Sequence, residues 1–237
     1  MRLHLLSVGA TALCLLALTA CGQRSTLVEF RHGYSFTRAE RKAIEAIADR
    51  AVRDVRQYLH TLPADVEIIV QAGTNVIPET GENGGVGVPT SVYWTVDPKH
   101  PGGVIAVANA QLRATLFHEL YHLVRLTQFA SESLVDQAIS EGLATAFERD
   151  FGGAPVPWGV YPSNVMEWTK EFLALPGDAP RDQWMYNHSD GRRWIGYKVG
   201  TYLADQAARV SRLSLAQLAT VPTATIVQWG RPQERTP

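Results

Sequence analysis

His118-Glu119-Leu120-Tyr121-His122 sets two imidazoles four residues apart with a carboxylate beside the first. On a helix, positions i and i+4 share a face, so both rings can reach one ion. Zinc accepts neutral imidazole nitrogens and favours four-coordinate sites. A carboxylate next to such a pair can reach a metal-held water without ligating the ion. It can take that water's proton and later hand it to a leaving amine. His118 and His122 are therefore candidate ligands of one zinc ion, and Glu119 is the candidate base. The bland alternative is a chance string whose histidines only make hydrogen bonds. Against it, Leu112, Leu116, Leu120 and Leu123 form an apolar stripe through the same segment, as a packed helix requires.

Two histidines leave a third ligand to find. Three and six residues after His122 stand Arg125 and Gln128, which excludes a glycine-then-histidine continuation. Glu141, in Ser140-Glu141-Gly142-Leu143-Ala144, follows His122 by nineteen residues in a second apolar segment. Two helices joined by a short turn pack antiparallel, so residues at this separation can face each other. Asp136, Glu148 and Asp150 are rivals, and a solvated helix face is the other reading of Glu141. Hydrolysis of an amide also needs a donor for the developing oxyanion. Tyr197, flanked by Gly196 and Gly200, is the first candidate, and His188, in a polar loop, the second. Tyr197 reads equally well as a packed tyrosine with a satisfied hydroxyl. Arg125 either binds a carboxylate at the site edge or pairs structurally.

The elements that must position these groups suit one α+β domain. Thr37-Arg38-Ala39-Glu40 reads as a capping box opening a helix to about residue 60. Strands are expected at 66–70 (VEIIV), 91–96 (SVYWTV) and 104–108 (VIAVA), the last two as a hairpin. Residues 72–90, rich in glycine, read as a long surface loop. The strand at 104–108 is expected as the exposed edge beside the metal, able to bind an extended substrate by main-chain hydrogen bonds. Helices follow at 109–129, capped by Asn109, from Ser131 or Ser133 to about 151, at 163–175, and at 192–210. Residues 176–191 read as irregular, and 211–229 as two short helical turns broken by Pro222.

The first twenty residues read as a signal peptide: a weakly cationic start, then an apolar run too short to span a bilayer. It closes in Leu18-Thr19-Ala20-Cys21, which looks like a lipobox with Cys21 acylated after cleavage. An ordinary cleaved signal is the alternative. Residues 21–35 are then a tether, and 36–237 a single domain. The chain has two cysteines, Cys14 and Cys21, so none remains for a disulfide or thiolate ligand. A net charge of -1 with no basic run gives nucleic acid no electrostatic hold. The expected partners are a peptide or protein substrate and a membrane reached through the anchor. Export to the cell envelope follows.

His118 to His122 plus Glu141 resembles the gluzincin class of zinc peptidases. More narrowly, 109–125, the Ser140–Ala144 segment and Trp194-Ile195-Gly196-Tyr197-Lys198-Val199-Gly200 resemble a bacterial family of predicted Zn-dependent proteases. The resemblance covers roughly residues 90–225 and implies a zincin-like fold with that ligand set. Where better-known gluzincins often carry an acid four residues after the third ligand, this chain has Thr145. A non-catalytic module that keeps the fold for binding or envelope assembly is the competing expectation. The intact Glu119 argues against it, because a structural metal needs no base.

Overall fold

The structure, a computed structural model, describes residues 26–231. The signal segment 1–20, Cys21 and the first residues of the expected tether lie outside the described residues. Residues 26–30 do not form a tether. Thr26–Phe30 is a strand, β1, inside the sheet. Helix α1, Arg38–Tyr58, starts with the expected box, in which Thr37 Oγ1 accepts from the Glu40 backbone N–H and Glu40 returns the bond. Its buried stripe includes Ile44, Ile47, Ala48, Ala51, Val52 and Val55.

β2, Val66–Ala72, β3, Glu82–Gly87, and β4, Ser91–Val96, complete a four-stranded sheet in the order β1-β2-β4-β3. β1, β2 and β4 run parallel, and β3 pairs antiparallel with β4, Gly84 opposite Trp94. Ile68, Val70, Val92, Trp94 and Val96 are buried in the core. The sheet is small and mixed, as expected, but two of its strands differ. β3 lies where a surface loop was expected, and it is one of the two edge strands.

The expected strand at 104–108 is helical. α2, Gly103–Val107, opens at Gly102 with φ 89°, passes into a π-helical turn, Ala108–Leu112, and continues as α3, Arg113–Leu126. Val104, Val107, Ala108 and Leu112 are buried while Ile105 is exposed, a helical rather than alternating spacing. Asn109 lies inside the π turn and caps nothing. Every residue of α3 from Ala114 to Arg125 is buried, so this helix forms the centre of the molecule.

α4, Leu134–Phe151, follows a short turn, and α5, Val165–Leu173, lies beyond a 3-10 turn at Pro157–Gly159. A short α6, Arg181–Met185, sits in the segment expected to be irregular. α7, Ile195–Ser211, α8, Leu215–Leu218, and α9, Thr223–Gly230, complete the helical half. α4 and α7 cross backbone to backbone: a Cβ on Gly142 would overlap the Gly200 main chain, and one on Gly200 would overlap the Ala138 carbonyl. Among the described residues no helix is long and apolar enough to cross a membrane.

Candidate metal centre

The α3–α4 turn is short, and side-chain contacts between the two helices run in opposite directions: His122 meets Ser140, while His118 reaches Glu148. This antiparallel packing brings Glu141 to the histidine pair. His118 Nε2 and His122 Nε2 are 3.0 Å apart, and Glu141 Oε2 is 3.1 and 3.3 Å from them. A tetrahedron with zinc's usual bonds of ~2.0–2.1 Å to its corners has edges of ~3.3 Å, so the triangle matches one face.

The hydrogen bonds behind the triangle set its chemistry. His118 Nδ1 donates to Glu148 Oε2 at 3.0 Å. With that nitrogen donating, it carries the proton and Nε2 presents a lone pair. His122 Nδ1 lies 3.1 Å from Ser140 Oγ, and donation there leaves its Nε2 free in the same way. Three electron-rich atoms then converge with no hydrogen between them, which calls for a cation. A proton meets the same need in the metal-free protein. Burial disfavours the His118 imidazolium, but Glu141 and Glu148 outweigh it and raise its pKa well above the histidine range. Glu141 is likewise held below the usual carboxylate range: burial opposes this, and His122 and His118 prevail.

Glu119 points to another side. Its carboxylate lies under Gly84 of β3, where a Cβ would overlap Oε1 and stand 2.7 Å from Thr115 Cγ2. Burial pushes its pKa up to about 7, against the lowering influence of His118 and His122. Glu82, two residues before Gly84, is also buried. It accepts from Trp94 Nε1 at 2.9 Å and Thr115 Oγ1 at 2.8 Å, and burial raises its pKa. Glu82 and Gly84 therefore fasten the edge strand onto α3 beside the base. The strand next to the metal helix is β3, not 104–108, and its outer edge has no strand partner among the described residues.

Tyr197 reaches the centre from α7 and lines the same cleft as Glu141. Burial, then the charges of Glu141, Tyr186 and Glu119, raise its pKa well above the tyrosine range, so the hydroxyl keeps its proton. Both Tyr197 and Tyr186 line a cleft of 540 Å³ that opens over the triangle. His188 does not line it: this ring pairs with Asp190 at 2.9 Å and packs at a tilt against Trp184, 4.6 Å between ring centres. Arg125 is turned away into the helical half, donating to Val221 O at 3.0 Å and Thr223 Oγ1 at 3.1 Å. The rival acids are engaged elsewhere, Asp136 in the capping box of Ser133 and Asp150 with Arg149.

Sequence reasoning named Glu148 only as a rival ligand and missed its place behind His118. Its spacing gave a signal: seven residues after Glu141 is two turns along the same face of α4. Thr145, where an acid was looked for, is fully buried and its hydroxyl makes no hydrogen bond among the described residues. Trp158 Nε1, 3.4 Å from Glu148 Oε2, gives that carboxylate a second donor. Tyr186 was also missed, within a segment read as irregular.

A His-Glu-x-x-His helix under a sheet edge, with a glutamate supplied by the following helix, is an arrangement compatible with zinc binding. The chain belongs to the family described as predicted Zn-dependent protease (DUF2268), whose model matches residues 44–228. Among curated proteins none matches the chain.

Proposed function

We propose that the protein is a peptidase that holds one zinc ion on His118, His122 and Glu141 and uses Glu119 as its base. The observation that carries this reading is the triangle of lone pairs with a separate, desolvated carboxylate beside it. Zinc, when bound, would supply Lewis acidity and lower the pKa of a water toward neutrality. Glu119 accepts the proton of the attacking water on a carboxylate oxygen and delivers it to the departing amine nitrogen. Tyr197 Oη, protonated and beside Glu141, donates to the oxygen that gains charge on the scissile carbonyl. An extended peptide would lie along the free edge of β3, with main-chain groups of 83–86 as its partners.

A base set beside the triangle favours this over the binding-module reading, in which nothing needs Glu119. We further propose that Cys21 carries lipid and anchors the domain in the envelope after export, on the strength of Leu18-Thr19-Ala20-Cys21. Zinc titration against a chromophoric chelator tests the ligand set. Glu141→Ala should lose zinc that the parent and Asp136→Ala retain. Glu141→Ala binding as tightly as the parent would remove Glu141 from the site.

A further inference from the structure

Trp194 is one of two non-glycine residues among those described with a positive φ, 59°, and it stands at the start of α7. That backbone region suits glycine, and any side chain there is strained. A position kept for its backbone alone would favour glycine, yet it carries the largest side chain available. Its indole is only partly buried and lines the cleft over the metal centre. There it packs edge-on to Tyr197 and Tyr186, at 5.3 and 5.8 Å between ring centres, and 6.2 Å from Trp158.

A second segment adds apolar lining. Val76 and Ile77, in the β2–β3 connection, line the same cleft and are partly exposed. The two segments are tied together: Glu79, two residues after Ile77, meets Arg193 at 3.1 Å, immediately before Trp194. Aromatic rings and branched aliphatics from neighbouring segments therefore share the lining of the cleft. Such walls gain most by taking apolar surface out of water.

We propose that Trp194, with Trp158 and Tyr186 beside it and Val76 and Ile77 in the same cleft, forms a subsite for a large apolar side chain of the bound peptide. The proposal rests on the peptidase reading for its substrate, but the subsite itself is open to a binding measurement. Matched peptides that differ only in Phe or Ala at one position are given to the zinc-loaded protein. Calorimetry with acetyl-Gly-Phe-amide and acetyl-Gly-Ala-amide supplies the second readout.

The parent should prefer Phe over Ala by about 10- to 200-fold, the range of hydrophobic-pocket discrimination. Trp194→Ala should lower kcat/KM for the Phe peptide by at least ~10-fold and leave the Ala peptide within ~3-fold. Trp194→Gly should lose the same selectivity while melting no lower than Trp194→Ala, because glycine relieves the backbone. Equal loss on both peptides, or a parent that does not discriminate in either readout, overturns the subsite. Phe-selective binding that depends on Trp194, with no cleavage of any peptide, keeps the subsite and removes the peptidase reading. Cleavage without discrimination does the reverse.

Discussion

Glu119 and Glu148 are both buried carboxylates a short distance from His118, and their surroundings give them opposite tasks. Glu148 faces two ring N–H groups, those of His118 and Trp158, and orients the imidazole. The Glu119 carboxylate is pressed against the glycine of an edge strand, so desolvation dominates and its proton is held to about pH 7. That has a stability consequence. In the unfolded chain the group ionises near its ordinary value of 4.5, and in the folded metal-free protein near 7. Between those values the native state binds the extra proton, so stability falls as pH rises from about 4.5 to about 7 and is then level. The shift corresponds to roughly 3 kcal/mol. Metal-free Glu119→Gln should therefore unfold with nearly the parent's stability at pH 5 and be more stable at pH 8, by on the order of 2–3 kcal/mol in urea titrations. The same difference at both pH values would show that Glu119 is not desolvated as described.

At the scale of elements, the site depends on two close approaches that glycine permits: β3 over Glu119 at Gly84, and α4 against α7 at Gly142 and Gly200. The second brings Glu141 and Tyr197 to the same place from different helices. Gly200→Ala should separate them and cost about 1–3 kcal/mol or more through overpacking, lowering Tm by several degrees in a thermal melt. A melt unchanged from the parent would mean that the crossing is looser than the structure has it. The elements carrying ligands were legible because their signals are local. The Ser133–Asp136 box, the leucine stripe of α3 and the 118-to-122 spacing each follow from one turn of helix. The sheet edge was not. Glu82–Gly87 has three glycines among its six residues and no side-chain alternation, so its pairing with β4 is invisible until the neighbour is known. Val104–Ala108 is uniformly apolar, and periodicity does not separate a buried strand from a helix there. Placing the edge at 104–108 was therefore wrong, while the need for an edge beside the metal helix was right. Glu148 and Tyr186 depended on tertiary packing that spacing alone left open.

For the whole molecule, the sheet and the helical half form two walls with α3 between them. The cleft opens where β3, α7 and the segment around α6 meet. A tether from an N-terminal lipid would leave from the β1 side of the sheet, at the opposite edge from β3. Cys21→Ser should shift the protein from the membrane to the soluble fraction, or leave the leader uncleaved, in fractionation followed by N-terminal mass analysis. Unchanged membrane partition with a mature end elsewhere would contradict anchoring at Cys21. The proposed peptidase activity depends on one buried carboxylate, Glu119. Turnover of a diverse peptide library by the parent and Glu119→Gln, each loaded with zinc to one ion per chain, decides whether it does. The parent should cleave, and the variant should lose at least ~100-fold at equal zinc content. Equal turnover in both would remove Glu119 as the base, and a zinc-loaded parent that cleaves nothing would remove the peptidase reading.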